Sequence, residues 1–140
     1  MRSTSERTRQ LRSLPMFNGC SYRQLVRIGA LVEDVAVPAG STFIVENDPG
    51  STTYVLVDGE ARVTVAGEYL NTVRRGDLVG EMAVLDQAPR CASVTATTDV
   101  QLLEFDETDF DELIRQPWMA RRVLHTIMDR LRATDDSPTA

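Results

Sequence analysis

The sequence predicts a mainly β domain, a sandwich or barrel of short strands with helices at both ends. Three observations carry this. Between Glu33 and Phe105, strand-like runs of five to seven residues are separated by clusters of Gly, Pro, Asn and Asp. Before that region Ser21 and Gln24 form a capping-box pattern, which opens a helix. After it, Pro117 precedes apolar residues at helical spacing.

Residues 1–10 are polar and expected to be disordered, 11–133 form a single domain, and 134–140 form a disordered polar tail. Leu11 to Phe17 brings apolar groups to a turn at Asn18-Gly19. The first helix covers about Tyr22 to Val32, buries Leu25, Ile28 and Leu31, and is stapled by Cys20 and Leu25. Strands are expected at Glu33–Val37, Thr42–Glu46, Thr53–Val57, Glu60–Ala66, Tyr69–Arg74, Ala92–Ala96 and Val100–Phe105. Asp58-Gly59 is a two-residue hairpin signal, and Asn47-Asp48-Pro49-Gly50 is a dense turn cluster. Ala61, Val63 and Val65 alternate with Arg62 and Thr64, so one face of that strand packs inward. Asp106 caps a further helix, with Phe105 against Phe110 as its staple. The last helix, Trp118 to Ala133, carries Val123, Leu124, Ile127, Met128 and Leu131 at helical spacing.

The chain has 140 residues, a net charge of −6 and a pI near 4.7, so direct nucleic acid binding is not expected. Every one of its 15 basic residues is Arg. No apolar run reaches the length of a membrane span, and the start MRSTSERTRQLRS lacks the apolar stretch of a signal peptide, which predicts a cytoplasmic protein. Cys20 and Cys91 are expected to be free thiols.

The stretch Gly76 to Val94 organises the chain. Glu81 and Arg90 lie nine positions apart among apolar neighbours, and charges near a core need partners. They pair either with each other or with a ligand. A ligand is favoured by the details. Gly80 permits an unusual backbone angle or a close approach, and Glu81 to Leu85 read as a short helix whose first N–H groups form an anion site. Pro89 fixes the chain before Arg90, whose planar fork suits a phosphate, and Glu81 can accept from hydroxyls. Phosphate beside hydroxyl describes a nucleotide.

Val79-Gly80-Glu81-Met82-Ala83, followed by Ala88-Pro89-Arg90-Cys91-Ala92, resembles the phosphate-binding cassette of cyclic nucleotide-binding domains, such as those of the catabolite activator protein and the regulatory subunits of protein kinase A. The resemblance implies an eight-stranded antiparallel jelly roll with an N-terminal helix, a short cassette helix and two C-terminal helices. It implies that Glu81 accepts from the ribose 2′-hydroxyl beside the Gly80 backbone, that Arg90 and the N–H groups of Ala83 and Ala92 hold the cyclic phosphate, and that Cys91 faces the purine. Val79 stands where the family often has Phe, and Cys91 where it usually has Ser, Thr or Ala. The implied ligand is cAMP, with cGMP as the other candidate, and no metal or other cofactor.

The last helix packs on the core, closes as a lid over the purine through Leu124, Ile127, Met128 or Leu131, or pairs with a second copy to form a homodimer. Catalysis is not expected: the chain has a single histidine, His125, no Gly-x-Ser-x-Gly elbow and no Walker-type loop, and Cys91 lacks a His base. Asp77 and Glu81 flank a Gly turn rather than forming an acid pair. If 1–140 is the whole protein, its signal passes to a separate effector protein. The competing expectation is a jelly roll that binds no nucleotide and serves as an interaction module, with Arg90 and Glu81 paired.

Overall fold

Consecutive residues of a strand point to opposite faces, and the central strands of this chain are apolar on both. Val55 and Leu56, like Leu103 and Leu102, therefore enter two different cores. The computed structural model describes residues 2–80 and 89–135. In it, α1 (Thr4–Arg12), a 3₁₀ turn (Pro15–Phe17) and α2 (Tyr22–Gly29) precede β1 (Glu33–Val37), β2 (Thr42–Ile44), β3 (Thr52–Asp58), β4 (Ala61–Val65), β5 (Glu68–Val73), β6 (Leu78–Val79), β7 (Ser93–Ala96) and β8 (Val100–Asp106). Then follow α3 (Glu107–Ile114) and α4 (Pro117–Asp135).

The strands form two four-stranded antiparallel sheets, ordered β1-β8-β3-β6 and β2-β7-β4-β5, which together make a jelly roll. One core, with Val37, Ile44, Leu56, Val79, Val94 and Leu102, lies between the sheets. The other packs the outer face of the first sheet, through Val55, Leu103 and Phe105, against helical residues such as Leu25, Ile28, Phe110 and Met119. The short β6 falls between the expected strands Tyr69–Arg74 and Ala92–Ala96, at the start of the cassette motif, and it pairs Val79 with Tyr54 and Leu78 with Val55. The expected cassette helix lies outside the described residues.

The local helix signals act as anticipated. Ser21 and Gln24 complete both halves of the capping box, at 3.2 and 2.9 Å. Asp106 accepts from the Asp109 N–H at 2.7 Å, and the Phe105 and Phe110 rings meet edge-on, 5.8 Å between centroids. Gly59 holds φ +95° at the hairpin beside the Asp99 carbonyl, which a side chain would strike. The N-terminal expectation needs correction. Residues 4–12 are helical: Ser3 caps α1, Thr8 and Leu11 are buried, and the Arg7 fork reaches Asp34 at 3.0 and 2.7 Å. That ion pair holds the Asp34 carboxyl below its usual range. The Arg7 stem crosses Gly29, where a Cβ would sit 2.7 Å from its Cγ. A polar segment folds here because partners 22 and 27 residues away complete it. At the other end α4 runs to Asp135, two residues past the expected stop, and 136–140 lie outside the described residues. No helix among the described residues is long and apolar enough to cross a membrane.

Glu104 faces Glu33 directly across the β1–β8 ladder. Its pKa is raised above 4.5 by burial and by the charges of Glu33 and Asp106. A carboxyl with a raised folded-state pKa leaves stability intact at low pH and reduces it once pH rises through the unfolded value. Glu104→Gln should therefore stabilise the protein at pH 7 by about 0.2–1 kcal/mol, a typical cross-strand effect, and give no gain at about pH 4. Thermal melts at the two pH values check this; an equal gain at both would trace the effect to packing rather than charge.

Candidate ligand-binding site

The site is assembled around Arg90, whose side chain is only 7% exposed. One loop, 47–50, fixes its backbone. The Arg90 N–H donates to the Asp48 carbonyl and the Asn47 N–H donates to the Arg90 carbonyl, each at 2.8 Å, beside a bridge between Pro49 and Pro89. The turn cluster at 47–50 thus serves as the seat of the arginine, with Asn47 itself at φ +74°. Two parts of the wall then aim the guanidinium. Nη1 donates to the Gly80 carbonyl at 2.8 Å, while Nη2 donates to the Thr52 carbonyl at 2.7 Å and to its Oγ1 at 3.2 Å.

Gly80 is required twice at this point. Its φ is +84°, a conformation in which a side chain is strained, and a Cβ would lie 2.5 Å from Arg90 Nη1 and 3.3 Å from the Thr52 carbonyl. The close approach that sequence reasoning reserved for another molecule is made by the arginine of the same chain.

A cavity of about 200 Å³ opens against this wall. Gly80, Arg90, Cys91 and Ala92 line it, so four of the residues singled out from sequence meet there. Glu81, Met82 and Ala83 lie outside the described residues. Ile44, Val63, Val79 and Val94 supply an apolar side, and Leu70, Asn71 and Thr72 of β5 supply a mixed one. Cys91 is exposed and free; Cys20 is also free but buried, and burial pushes its thiol pKa up against the pull of Arg122.

A wider groove of about 1140 Å³ adjoins the cavity and shares Leu70, Asn71, Thr72 and Asp77 with it. Helix α4 forms one bank through Trp118, Arg121, Arg122, His125 and Thr126. The lid candidates point elsewhere in this arrangement. Ile127 packs on the helical core with buried Met119 and Val123, while Leu124 and Met128 are 56% and 40% exposed and line neither space. The Leu131 side chain lies outside the described residues. His125, the single histidine, is exposed on the groove wall. No cluster of metal-ligating side chains occurs among the described residues.

Sequence reasoning missed Thr52, the Asn47-Asp48 seat and the β5 wall. The turn cluster and the strand were visible locally, but not their place at the site: Thr52 lies 38 residues from Arg90 and meets it only in the folded chain.

Comparison with known proteins agrees with this geometry. A cAMP-dependent protein kinase regulatory subunit of Aspergillus niger is 35% identical over 106 residues, which are 74% of this chain and 26% of that protein. Among solved structures, the N-terminal domain of a transcriptional regulator from Streptomyces coelicolor A3(2) is similar with a TM-score of 0.68 and 30% identity, covering 91% of this chain and 96% of that one. The catabolite activator protein of Thermus thermophilus is similar with a TM-score of 0.73 and 28% identity, covering 86% of this chain and 60% of that one. The chain spans about a quarter of the length of the kinase regulatory subunits it matches (26%). The family pattern named "Cyclic nucleotide-binding domain" matches residues 34–117, more than half of the chain and inclusive of the whole cavity wall, and the chain belongs to that family.

Proposed function

We propose that this chain is a sensor domain that binds a cyclic nucleotide, cAMP before cGMP, and passes the event on through its C-terminal helices to an effector protein. The observation that carries the reading is the buried guanidinium of Arg90 in the wall of a cavity large enough for part of a nucleotide. A preorganised fork loses little freedom on meeting a phosphate, which favours tight binding. The cassette resemblance assigns the ribose to Glu81 and the phosphate to Arg90 with the N–H groups of Ala83 and Ala92. The same resemblance counts Gly80 and Met82 among the ligand-binding residues and turns Cys91 toward the base. The preference for cAMP rests on relatives named for cAMP. No catalytic residue is assigned.

The way α4 is held supports the transmission step. Arg122 Nη1 donates to the carbonyls of Met16 and Asn18 at 3.0 and 2.7 Å, which ties α4 to the 3₁₀ turn, and its other groups border the ligand groove. Leu124, Ile127 or Met128 would reach the base only after α4 turns or slides. A ligand that favours that second arrangement shifts the population toward it. Leu124 and Met128, exposed one helical turn apart, support pairing with a second copy as the other use of the same helix.

Melting temperature with and without about 1 mM cAMP or cGMP tests the reading. At a hundred times its dissociation constant a ligand adds about 2.7 kcal/mol of stability, a shift of several degrees in a domain of this size. Arg90→Ala should retain a cooperative transition but bind roughly 30- to 5,000-fold more weakly, because a charged partner is removed from a desolvated contact. No rise with either nucleotide would overturn the reading in favour of a nucleotide-free interaction module.

Gly80→Ala offers a second check. The added methyl meets both the strained φ and the arginine, so the urea midpoint should fall by an amount equivalent to about 1–3 kcal/mol, and cAMP affinity should fall with it. An unchanged midpoint would mean that the loop reshapes freely and that Gly80 does not hold Arg90 in place.

A further inference from the structure

A cyclic nucleotide carries one negative charge, which Arg90 can meet, yet a second group of cations stands beside the cavity. Arg74, Arg75, Arg121, Arg122 and His125 line the adjoining groove in a chain whose net charge is −6. The two carboxylates on its walls are already engaged. Asp77 accepts from the Arg74 backbone N–H at 2.8 Å, and Asp129 accepts from Arg132 at 3.4 Å. Two of the arginines are anchored, Arg75 to Ser13 at 2.9 and 3.2 Å and Arg122 to Met16 and Asn18. Arg121 makes no hydrogen bond or ion pair among the described residues, and Arg74 reaches only Glu60, at 4.0 Å.

The same groove runs along an open strand. β5 is the last strand of its sheet, with β4 on one side and no strand on the other among the described residues. Tyr69 and Leu70 on it are 55% and 62% exposed. Leu70 sits at the irregularity of the β4–β5 ladder and has no cross-strand partner there. An unpaired edge is a template for an extended chain, whose main-chain groups supply affinity while its side chains meet the flanking surface.

We propose that the groove docks an extended acidic segment of a partner protein, added as a strand along β5 with its carboxylates among Arg74, Arg121 and the neighbouring cations. A nucleic acid would meet the same arginines, but it gains nothing from the strand edge, and the overall negative charge of the chain repels a long phosphate backbone. Because the cations lie at an exposed rim, docking is sensitive to salt. The shared wall of Leu70, Asn71 and Thr72 places this partner next to the proposed nucleotide, so one strand contacts both.

Fluorescence anisotropy on the full chain without nucleotide tests the proposal independently of cyclic nucleotide binding. The probe is a labelled peptide of about ten residues alternating Glu and Val; its comparators are the same peptide with Gln for Glu, tripolyphosphate and oligothymidylate. The acidic peptide should bind saturably and more weakly at high salt, and the Gln peptide roughly tenfold more weakly or not at all. Arg74→Glu/Arg121→Glu and Leu70→Pro, all at exposed positions, should each weaken the acidic peptide by roughly tenfold. The proposal is overturned by absence of saturable binding up to about 1 mM, by unchanged affinity in either variant, or by tighter binding of oligothymidylate or tripolyphosphate than of the peptide.

Discussion

Much of this structure depends on where one guanidinium is held. Arg90 joins three stretches that are remote in sequence: the 47–52 loop and strand start, Gly80 at the end of β6, and its own segment leading into β7. A buried cation is costly to leave without partners, so these carbonyls and the Thr52 hydroxyl fix the side chain as firmly as packing would. The position of Gly80 follows from it, since only a residue without a Cβ leaves room for Nη1. The cavity wall is thus defined by a charged residue before any ligand arrives.

The two-core architecture separates the wall of the cavity from the seat of the helices. The core between the sheets uses Ile44, Val79 and Val94, which also line the cavity, so the site rests directly on packed side chains. The second core holds α2, α3 and α4 against the outside of the first sheet. Phe105 and Phe110 join β8 to α3, and Arg122 ties α4 to the 3₁₀ turn. The helices are thus held to the roll by an extended apolar core, with these contacts fixing where each one begins.

What the sequence revealed follows the range of each interaction. Ser21 with Gln24, Asp106 with Asp109, and Phe105 with Phe110 act over three to five residues, and each was legible from spacing alone. Strand-like runs between turn clusters located seven of the eight strands among the described residues, but β6 is only two residues long and too short to stand out as a run. Helix α1 was misread because its supports, Asp34 and Gly29, lie far along the chain. At the site, residue types and spacing drew Gly80 and Arg90 together, whereas Thr52 and the Asn47-Asp48 seat required the register of the sheets. The apolar stripe of α4 was legible, but its orientation was not: Met119 and Val123 took the core, leaving Leu124 and Met128 outward and a polar face on the groove.

The central claim is that Arg90 is the anchor for a phosphate. The most direct measurement is the difference in binding free energy between cAMP and adenosine, by isothermal titration, for the wild-type chain and for Arg90→Ala. Adenosine keeps the base and the ribose but lacks the anion. The account predicts a preference for cAMP of about 2–5 kcal/mol in the wild type that largely disappears in the variant. A preference that survives the loss of Arg90 would contradict it and move the phosphate to another part of the cavity.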